Sequence, residues 1–446
     1  MARQKRITQY VCQECGAEYP KWAGRCSTCG VWNSLAEVTA SPRRSHAART
    51  SWTRPIPLAS VSVDSDRRKS IGIAEFDRVL GGGILPGALM LLGGEPGVGK
   101  STLLLQVAHR FAEAHGPVLY VSGEESPVQV RLRAERLQAL APALHIAGET
   151  DVAAVQEIIE ETEPQLVIID SIQTLTCAHI DSVPGSLAQV RESAMVLQRV
   201  AKERSVPVFL VGHVTKDGSL AGPKVLEHVV DVVLQFEGDR YTQYRLLRTF
   251  KNRFGATSEL GLFEMTERGL MPLTDPSGAL LAERPLGTPG SVVVCSQEGS
   301  RTLLVEIQAL VGPSPFGGTP RRQVSGLDYS RSSIVIAVLE RRNGLHLQTH
   351  DVYLNVAGGM RVEEPAADLG IAAAVASSFR NRPVHDRLVI FGEIGLAGEV
   401  RAVAHASARV AEAARLGFVR GIVPAGNMKG LKVPENMKVI PVSTVA

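Results

Sequence analysis

The 446-residue chain has no long hydrophobic run and no apolar core near its amino terminus. Its longest uncharged apolar stretch, residues 369–379, is shorter than the roughly 18 residues that a membrane span needs. The first residues, MARQKRITQYVCQ, also lack the apolar segment of a secretory signal. These absences predict a cytoplasmic protein without a membrane partner.

The whole chain also has no large excess of either charge, since it contains 48 Lys and Arg residues and 45 Asp and Glu residues. The distribution is uneven, because residues 1–54 contain nine basic and only three acidic side chains. A basic arm of this kind is typical of a segment that binds a polyanion. The alternative is a tail that only increases solubility.

Cysteine is scarce, and four of the six cysteines form two CxxC turns: Cys12, Cys15, Cys26 and Cys29. Two such turns complete a tetrahedral sulfur shell around Zn²⁺ and leave no position for a substrate. We therefore predict a structural zinc ribbon over residues 1–35. The alternative is a pair of disulfides, which a cytosolic protein rarely keeps. Cys177 and Cys295 stand alone in apolar sequence and are predicted to be buried, inert thiols.

The remaining chain predicts an α/β fold with two further domains. Residues 36–58 are rich in Ser, Thr, Pro and Arg without periodicity, which is typical of a basic linker. After this linker, short apolar runs alternate with amphipathic segments. The apolar runs predict buried strands of a parallel sheet at residues 89–93, 118–122, 166–170 and 208–212. We assign residues 59–275 to this domain, with helices near 101–113 and 152–161.

The first predicted strand runs into a complete G-x4-GK[ST] motif. Glycine amides at a helix N-terminus surround phosphate oxygens, a lysine neutralises the β and γ phosphates, and a serine binds Mg²⁺. The motif therefore predicts an ATP site formed by Gly94, Glu95, Pro96, Gly97, Val98, Gly99, Lys100 and Ser101.

Carboxylates follow two of the other strands at the same predicted sheet edge. Asp170 ends the strand 166–170, where it can join the Mg²⁺ shell, although a strand-terminal Asp can also cap a helix. Glu124 and Glu125 follow the strand 118–122, and a carboxylate near the γ-phosphate can act as a general base. We predict Glu124 as the base, with Glu125 as second choice.

The motifs, in order, resemble a known family. The four-cysteine ribbon is followed by GEPGVGKS, YVSGEES, LVIIDSIQT, VGHVTKDG and KNRFG. This order is similar to the bacterial RadA (Sms) family of DNA repair proteins over essentially the whole chain. The resemblance implies a RecA-like core, related to DnaB-type helicases, and a DNA-dependent ATPase that forms a hexameric ring. It further implies translocation on single-stranded or branched DNA and branch migration alongside the RecA recombinase.

The pentapeptide KNRFG contains two basic residues on one predicted strand. Residues 245–253 alternate like a strand, so Lys251 and Arg253 project to one face. The resemblance implies that they neutralise the γ-phosphate in the neighbouring subunit, as an arginine finger in trans. A solvated basic strand end is the alternative. By the same resemblance, His213 occupies the position of a γ-phosphate sensor. The alternative is a buried histidine whose hydrogen bonds are made within the protein core.

DNA contacts are predicted in two places. The Gly-rich loop 215–224 contains Lys216 and Lys224. The resemblance implies that this loop lines a central channel and contacts single-stranded DNA. The alternative is an ordinary surface loop, whose usual composition explains the sequence equally well. Arg321 and Arg322, together with Arg331, form a second candidate. No aromatic stacking platform is obvious, which predicts salt-sensitive binding dominated by the DNA backbone.

Residues 285–446 resemble the proteolytic domain of Lon, after a boundary rich in Pro and Gly. The similarity rests on segments beginning at Tyr353, Asp368 and Phe391. Lon-type hydrolysis needs a serine activated by a lysine. Here the serine position holds Asp368 and the lysine position falls near Ser407, so we predict a non-proteolytic scaffold. An ATP-dependent Lon-like protease and a KaiC-like signalling ATPase without motor activity are the alternative functions.

Overall fold

The computed structural model describes residues 7–12, 17–40, 57, 68–213, 223–238, 243–257, 259–315 and 319–446. The chain divides into two compact units. The first comprises Met1–Glu237, Arg245–Thr257 and Phe263–Pro272, and the second comprises Gly238–Tyr244, Ser258–Leu262 and Leu273–Ala446. Within the described ranges, no helix is both long and apolar enough to cross a bilayer.

The amino-terminal module is a small antiparallel sheet. Its strands are β1 (Ile7–Cys12), β2 (Glu18–Tyr19) and β3 (Leu35–Ala40), in the order β2-β1-β3. Among the described side chains, its core consists of Cys12, Cys26 and Leu35, against which Tyr10 and Tyr19 pack. A module of about 30 residues buries too little apolar surface to stabilise its own fold, which fits a folding free energy supplied at the cysteine cluster.

The first unit is built on a sheet with the order β12-β11-β10-β9-β4-β8-β7-β5-β6 among the described residues. The strands are β4 (Leu89–Gly94), β5 (Val118–Ser122), β6 (Leu144–Ala147), β7 (Leu166–Asp170), β8 (Val208–His213), β9 (Val232–Glu237), β10 (Tyr244–Asn252), β11 (Leu260–Thr266) and β12 (Gly269–Pro272). From β9 to β6 the strands are parallel, and β10 pairs with β9 antiparallel.

Helices cover both faces of this sheet. They are α1 (Ala74–Leu80), α2 (Lys100–His115), α3 (Pro127–Arg136), α4 (Val152–Thr162), α5 (Leu187–Arg204) and α6 (Pro223–Val229). Two apolar cores result, one on each face, and β4, β5, β7 and β8 contribute alternate residues to both. The four strands and two helices predicted from the sequence are confirmed. Cys177 is buried in one of these cores, as predicted.

The second unit contains a mixed sheet with the order β15-β16-β14-β13-β17-β20-β21 in the part of the chain that is described. Its strands are β13 (Ser291–Glu298), β14 (Arg301–Pro313), β15 (Arg322–Ser325), β16 (His350–Val356), β17 (Leu388–Ile390), β20 (Arg420–Pro424) and β21 (Lys438–Val442), and a separate hairpin joins β18 (Glu393–Ile394) to β19 (Val400–Arg401). Its helices are α7 (Pro276–Leu281), α8 (Tyr329–Arg342), α9 (Asp368–Phe379) and α10 (Ala406–Arg415). Cys295 is buried in its core.

Candidate functional site

The phosphate loop lies between β4 and α2 and has the backbone of an anion cradle. Gly97 and Gly99 adopt positive φ angles of 82° and 113°, which favour glycine. A Cβ on Gly94 would lie 2.5 Å from the carbonyl oxygen of Phe236, so only glycine fits there. Because α2 begins at Lys100, its first amides face the loop and can bind phosphate oxygens.

Lys100 lies at the base of this loop and is only 5% exposed. Its Nζ donates hydrogen bonds to the carbonyl oxygens of Gly94 at 2.7 Å and of Glu95 at 3.0 Å. Burial lowers the pKa of Lys100 to about 8, against the opposing charges of Asp170, Glu124 and Glu95. The ammonium group is therefore held where a phosphate would relieve its desolvation.

Asp170 ends β7 on the same edge of the sheet and is buried. The hydroxyl of Tyr120, on the neighbouring strand β5, donates to Asp170 Oδ2 at 2.5 Å. Burial, followed by the charge of Asp170, raises the pKa of Tyr120 well above its usual range. Tyr120 therefore stays protonated and fixes the orientation of the carboxylate, a role that the sequence reading missed.

Glu124 and Glu125 have different surroundings, although they are adjacent in the chain. Glu124 is exposed and its Oε1 accepts a hydrogen bond from Ser171 Oγ at 2.5 Å. Its charge also acts on Lys100, since it raises the pKa of that lysine. Glu125 instead forms an ion pair with Arg133 of α3. Of the two carboxylates, Glu124 is the one directed toward Lys100 and the segment after Asp170.

A close backbone approach at Gly123 brings Glu124 to this position. The Gly123 N–H donates to the carbonyl oxygen of Asp170 at 2.9 Å. A Cβ on Gly123 would lie 2.0 Å from Thr174 Oγ1, so a larger residue would separate the ends of β5 and β7.

Arg245 of β10 also supports the phosphate loop and was missed in the sequence. It is 7% exposed, and its Nε donates to the carbonyl oxygen of Val98 at 3.1 Å. Arg245 begins the basic run that ends at Arg253, and nothing in that run distinguishes it. Only the pairing of β10 beside β9 places its side chain under the loop.

The sequence-predicted finger residues Lys251 and Arg253 come together at the end of α6. Lys251 Nζ donates to the carbonyl oxygens of Glu227 and, at 2.9 Å, Val230. Burial, followed by the charge of Arg253, lowers the pKa of Lys251. Arg253, the first residue after β10, keeps half of its side chain exposed. Its Nη2 reaches the carbonyl oxygen of His228 at 3.4 Å.

Asp231 anchors Arg253 and is a further residue that the sequence reading missed. Its side chain is 3% exposed and accepts hydrogen bonds from the Leu89 backbone N–H at 3.0 Å and from Lys202 Nζ at 2.7 Å. Its other oxygen lies 3.4 Å from Arg253 Nη1. A buried carboxylate with three donors holds the guanidinium beside the first residue of β4.

Several predicted residues lie wholly or partly outside the described residues. His213 ends β8, in register with Gly94, but its side chain is not among those described. Lys216 lies outside them entirely, and of Lys224 only the position in α6 is given. Cys15 also lies outside them.

Three sulfurs of the amino-terminal module converge. The Sγ atoms of Cys12, Cys26 and Cys29 all lie within 4.8 Å of one another, with Cys12 and Cys29 at 3.6 Å. No disulfide joins any two of these three cysteines, which favours the zinc site over the disulfide alternative. The Cys29 backbone N–H points to Cys26 Sγ at 3.5 Å, and Gly30 follows with a φ of 77°. Such a knuckle fits a tetrahedral thiolate site.

In the second unit the Lon-like segments fall on β16, on α9 and on the hairpin β18–β19. Asp368 begins α9, is buried, and accepts hydrogen bonds from Arg331 Nε and the Ile394 backbone N–H, both at 3.1 Å. Burial raises the pKa of Asp368, and Arg331 opposes this shift. Ser407 Oγ accepts the Lys432 backbone N–H at 3.2 Å. Arg331 is thus paired with Asp368, while 34% of its side chain remains exposed.

The two arginines of the predicted basic loop also differ. Arg322 is turned inward, since its guanidinium donates to the carbonyl oxygens of His350 and, at 2.9 Å, Leu347 and lies 3.6 Å from Glu340. These contacts explain why it is only 18% exposed. Arg321 remains exposed. Of these two arginines, it is therefore the better candidate for the predicted DNA contact.

Comparison with known proteins confirms the three-part fold class. The rubredoxin metal binding domain family matches residues 10–37, the AAA domain family matches 54–219, and the family of subunit ChlI of Mg-chelatase matches 319–427. The chain therefore has a zinc ribbon, a RecA-like P-loop ATPase core and a carboxyl-terminal ChlI/Lon-like domain. A KaiC-like protein from Pyrococcus horikoshii matches 46% of this chain and 99% of its own at a TM-score of 0.39 and 22% identity, which is too weak to assign a function.

Much more similar relatives cover nearly the full length. The DNA repair protein RadA of Halalkalibacterium halodurans is 50% identical over 99% of this chain and 97% of its own. That of Bacillus subtilis is 49% identical over 100% and 98%, and that of Listeria monocytogenes is 47% identical over 100% and 98%. Given this identity along almost all of each sequence, the chain belongs to the RadA family of DNA repair proteins.

Proposed function

We propose that the chain is a DNA-dependent ATPase that works as a hexameric ring in the cytoplasm. In this proposal it translocates on single-stranded or branched DNA and drives branch migration of recombination intermediates together with the RecA recombinase. The observation that carries the ring is the separation of Arg253 from the phosphate loop of its own subunit.

This separation follows from the strand register. The Arg253 N–H donates to the carbonyl oxygen of Asp231, and the Asp231 N–H to that of Leu89, so Arg253 lies level with the start of β4. The phosphate loop follows the other end of β4, after Gly94. From Leu89 to Gly94 the strand advances by five residues at roughly 3.3 Å each. Arg253 and the phosphate loop are therefore about 16 Å apart along the sheet. Arg253 is thus suited to the nucleotide of a neighbouring copy.

Each residue of the loop edge has a role in the proposed hydrolysis. Lys100 neutralises the phosphates, and Arg245 holds the loop in shape. Glu124 orients the attacking water and accepts its proton. Ser101 and Asp170 would hold Mg²⁺, which neutralises phosphate charge when bound. Arg253 of the next subunit stabilises the charge that develops in the transition state.

The direct test measures ATP turnover with and without single-stranded DNA, together with the mass of the particle. ATP turnover is expected to rise when DNA is added, and the particle is expected to have a mass near six subunits. Turnover indifferent to DNA would favour the KaiC-like signalling alternative. Casein hydrolysis would favour the Lon-like protease, which the buried pairing of Asp368 with Arg331 disfavours. We propose a scaffold role in ring assembly for this domain instead.

Replacing Lys100 by alanine is expected to weaken ATP binding by roughly 100-fold or more. The variant loses charge-assisted hydrogen bonds, which are worth about 1.5–3 kcal/mol each. Titration with a fluorescent ATP analogue measures the affinity. Lys438→Ala is the matched control, since it removes an exposed lysine of β21, outside the first unit. Equal affinity of Lys100→Ala and the wild type would contradict the assignment.

We also propose one Zn²⁺ per chain, held by Cys12, Cys15, Cys26 and Cys29. Cys26→Ser is expected to lose the metal and unfold the ribbon while ATP binding persists, because metal binding of order 10 kcal/mol supplies the folding free energy of such modules. Metal analysis and nucleotide titration measure both effects, with Cys177→Ser as a cysteine control outside the ribbon. Absence of zinc from wild-type protein in reducing buffer would reject the site.

A further inference from the structure

We propose that Trp22 and Trp32 of the zinc ribbon form a stacking site for the bases of single-stranded DNA. This inference rests on the proposed DNA-dependent function and adds a binding site to it. It adds an aromatic platform where none is obvious from the sequence.

The first observation is the exposure of both indoles. Trp22 is 57% exposed and Trp32 is 69% exposed, and they are two of only three tryptophans in the chain. The apolar core of the ribbon consists of other residues and includes neither of them. Large aromatic surfaces are normally buried, so their placement outside the core points to a ligand.

The second observation is that a short hairpin over residues 24–33, closed by an antiparallel bridge between Arg25 and Trp32, brings the two rings together. Atoms of both rings lie within 4 Å of the point where a Cβ on Gly24 would be placed, at 3.8 Å for Trp22 and 3.7 Å for Trp32. The Asn33 N–H donates to the carbonyl oxygen of Gly24 at 2.8 Å. This hydrogen bond ties the two ends of the turn together, and Gly24 places no side chain between the two rings.

The third observation is positive charge beside the rings. The guanidinium of Arg25 lies 5.8 Å from the centre of the Trp32 ring, and its Nε donates to the carbonyl oxygen of Gly30 at 2.8 Å. Arg25 and Lys21 are both exposed. Aromatic faces beside cations are what proteins use to bind single strands, because bases stack on the rings and phosphates contact the cations. An anionic strand with unpaired bases is the ligand that satisfies both features.

The test uses the full chain and two oligomers of equal length, oligo(dT) and an abasic sugar–phosphate strand. We expect wild-type protein to bind oligo(dT) more tightly and its tryptophan fluorescence to be quenched. Trp22→Ala and Trp32→Ala should each weaken oligo(dT) binding roughly 5- to 150-fold, since stacking is worth about 1–3 kcal/mol per base. Abasic binding and the salt dependence should not change, because no phosphate contact is lost.

Matched variants separate stacking from folding. Trp22→Phe and Trp32→Phe keep an aromatic face and should retain most of the affinity. Val31→Ala removes an exposed aliphatic side chain of the same hairpin and should have no effect. The zinc content of each variant reports whether the ribbon is intact. If the alanine variants lose zinc, the stacking site is tested by two other results: the preference of wild-type protein for oligo(dT) and the affinity of the phenylalanine variants.

Two results would overturn the inference in different ways. If wild-type protein binds oligo(dT) and the abasic strand equally, or if zinc-loaded alanine variants bind oligo(dT) like wild type, the stacking site is rejected. The two tryptophans would then fit the anchor residues of a protein interface. If wild-type protein binds neither strand, the proposed DNA-dependent function fails together with the inference.

Discussion

Replacing Arg253 by alanine is expected to reduce ATP hydrolysis by roughly 10³- to 10⁵-fold while each subunit still binds nucleotide. The magnitude is that of an arginine acting in trans on a transferring phosphoryl group. Binding should persist because the phosphate loop, Lys100 and Arg245 lie at the other end of β4. Steady-state turnover and titration with a fluorescent ATP analogue measure the two effects separately.

Mixing variants tests whether the finger acts between subunits. Arg253→Ala subunits keep an intact loop, and Lys100→Ala subunits keep an intact finger. Mixed rings therefore contain interfaces that are complete, and turnover should recover in part. Arg248→Ala is the matched control on the same strand, since Arg248 pairs with Glu237 within the subunit and should not be needed for hydrolysis.

The trans assignment also predicts that turnover per subunit rises steeply with protein concentration near the assembly threshold. No recovery on mixing, or turnover by a monomer that does not depend on concentration, would contradict it. Arg253 would then be only a structural partner of Asp231 at the end of β10.

The sequence predicted the parts of this architecture that depend on neighbouring residues in the chain. The strand β4, the phosphate loop and α2 form one continuous pattern, because strand burial, glycine conformation and helix periodicity are all local properties. The Asp170 position follows from the same logic, since parallel strands end at one sheet edge. The cysteine spacing likewise identified the ribbon before any fold was known.

Contacts between distant parts of the chain could not be predicted in this way. Arg245 reaches Val98, and Tyr120 reaches Asp170, across separations of 147 and 50 residues. Which strands are neighbours in the sheet determines both contacts, and the sequence pattern does not specify that order. Trp22 and Trp32 were missed for a similar reason, because only the hairpin around Gly24 brings them together.

The choice between Glu124 and Glu125 also depended on tertiary structure. Both carboxylates follow β5, and neither periodicity nor charge distinguishes them. The close approach of Gly123 to Thr174 directs Glu124 toward Ser171, and α3 supplies Arg133 as the partner of Glu125. Two adjacent carboxylates in different environments can therefore be given different roles.

Glu124→Gln is expected to lower kcat by roughly 10²- to 10⁴-fold, the range for loss of a general base, with little change in ATP affinity. Glutamine has the same shape and can still accept the hydrogen bond from Ser171, but it cannot take a proton from water. Glu125→Gln is the matched control and should keep near wild-type turnover, because Glu125 is paired with Arg133 rather than directed to the loop. Single-turnover hydrolysis of prebound ATP measures the chemical step without product release. Normal turnover by Glu124→Gln and slow turnover by Glu125→Gln would transfer the base to Glu125, and the Arg133 pair would then have to open during catalysis.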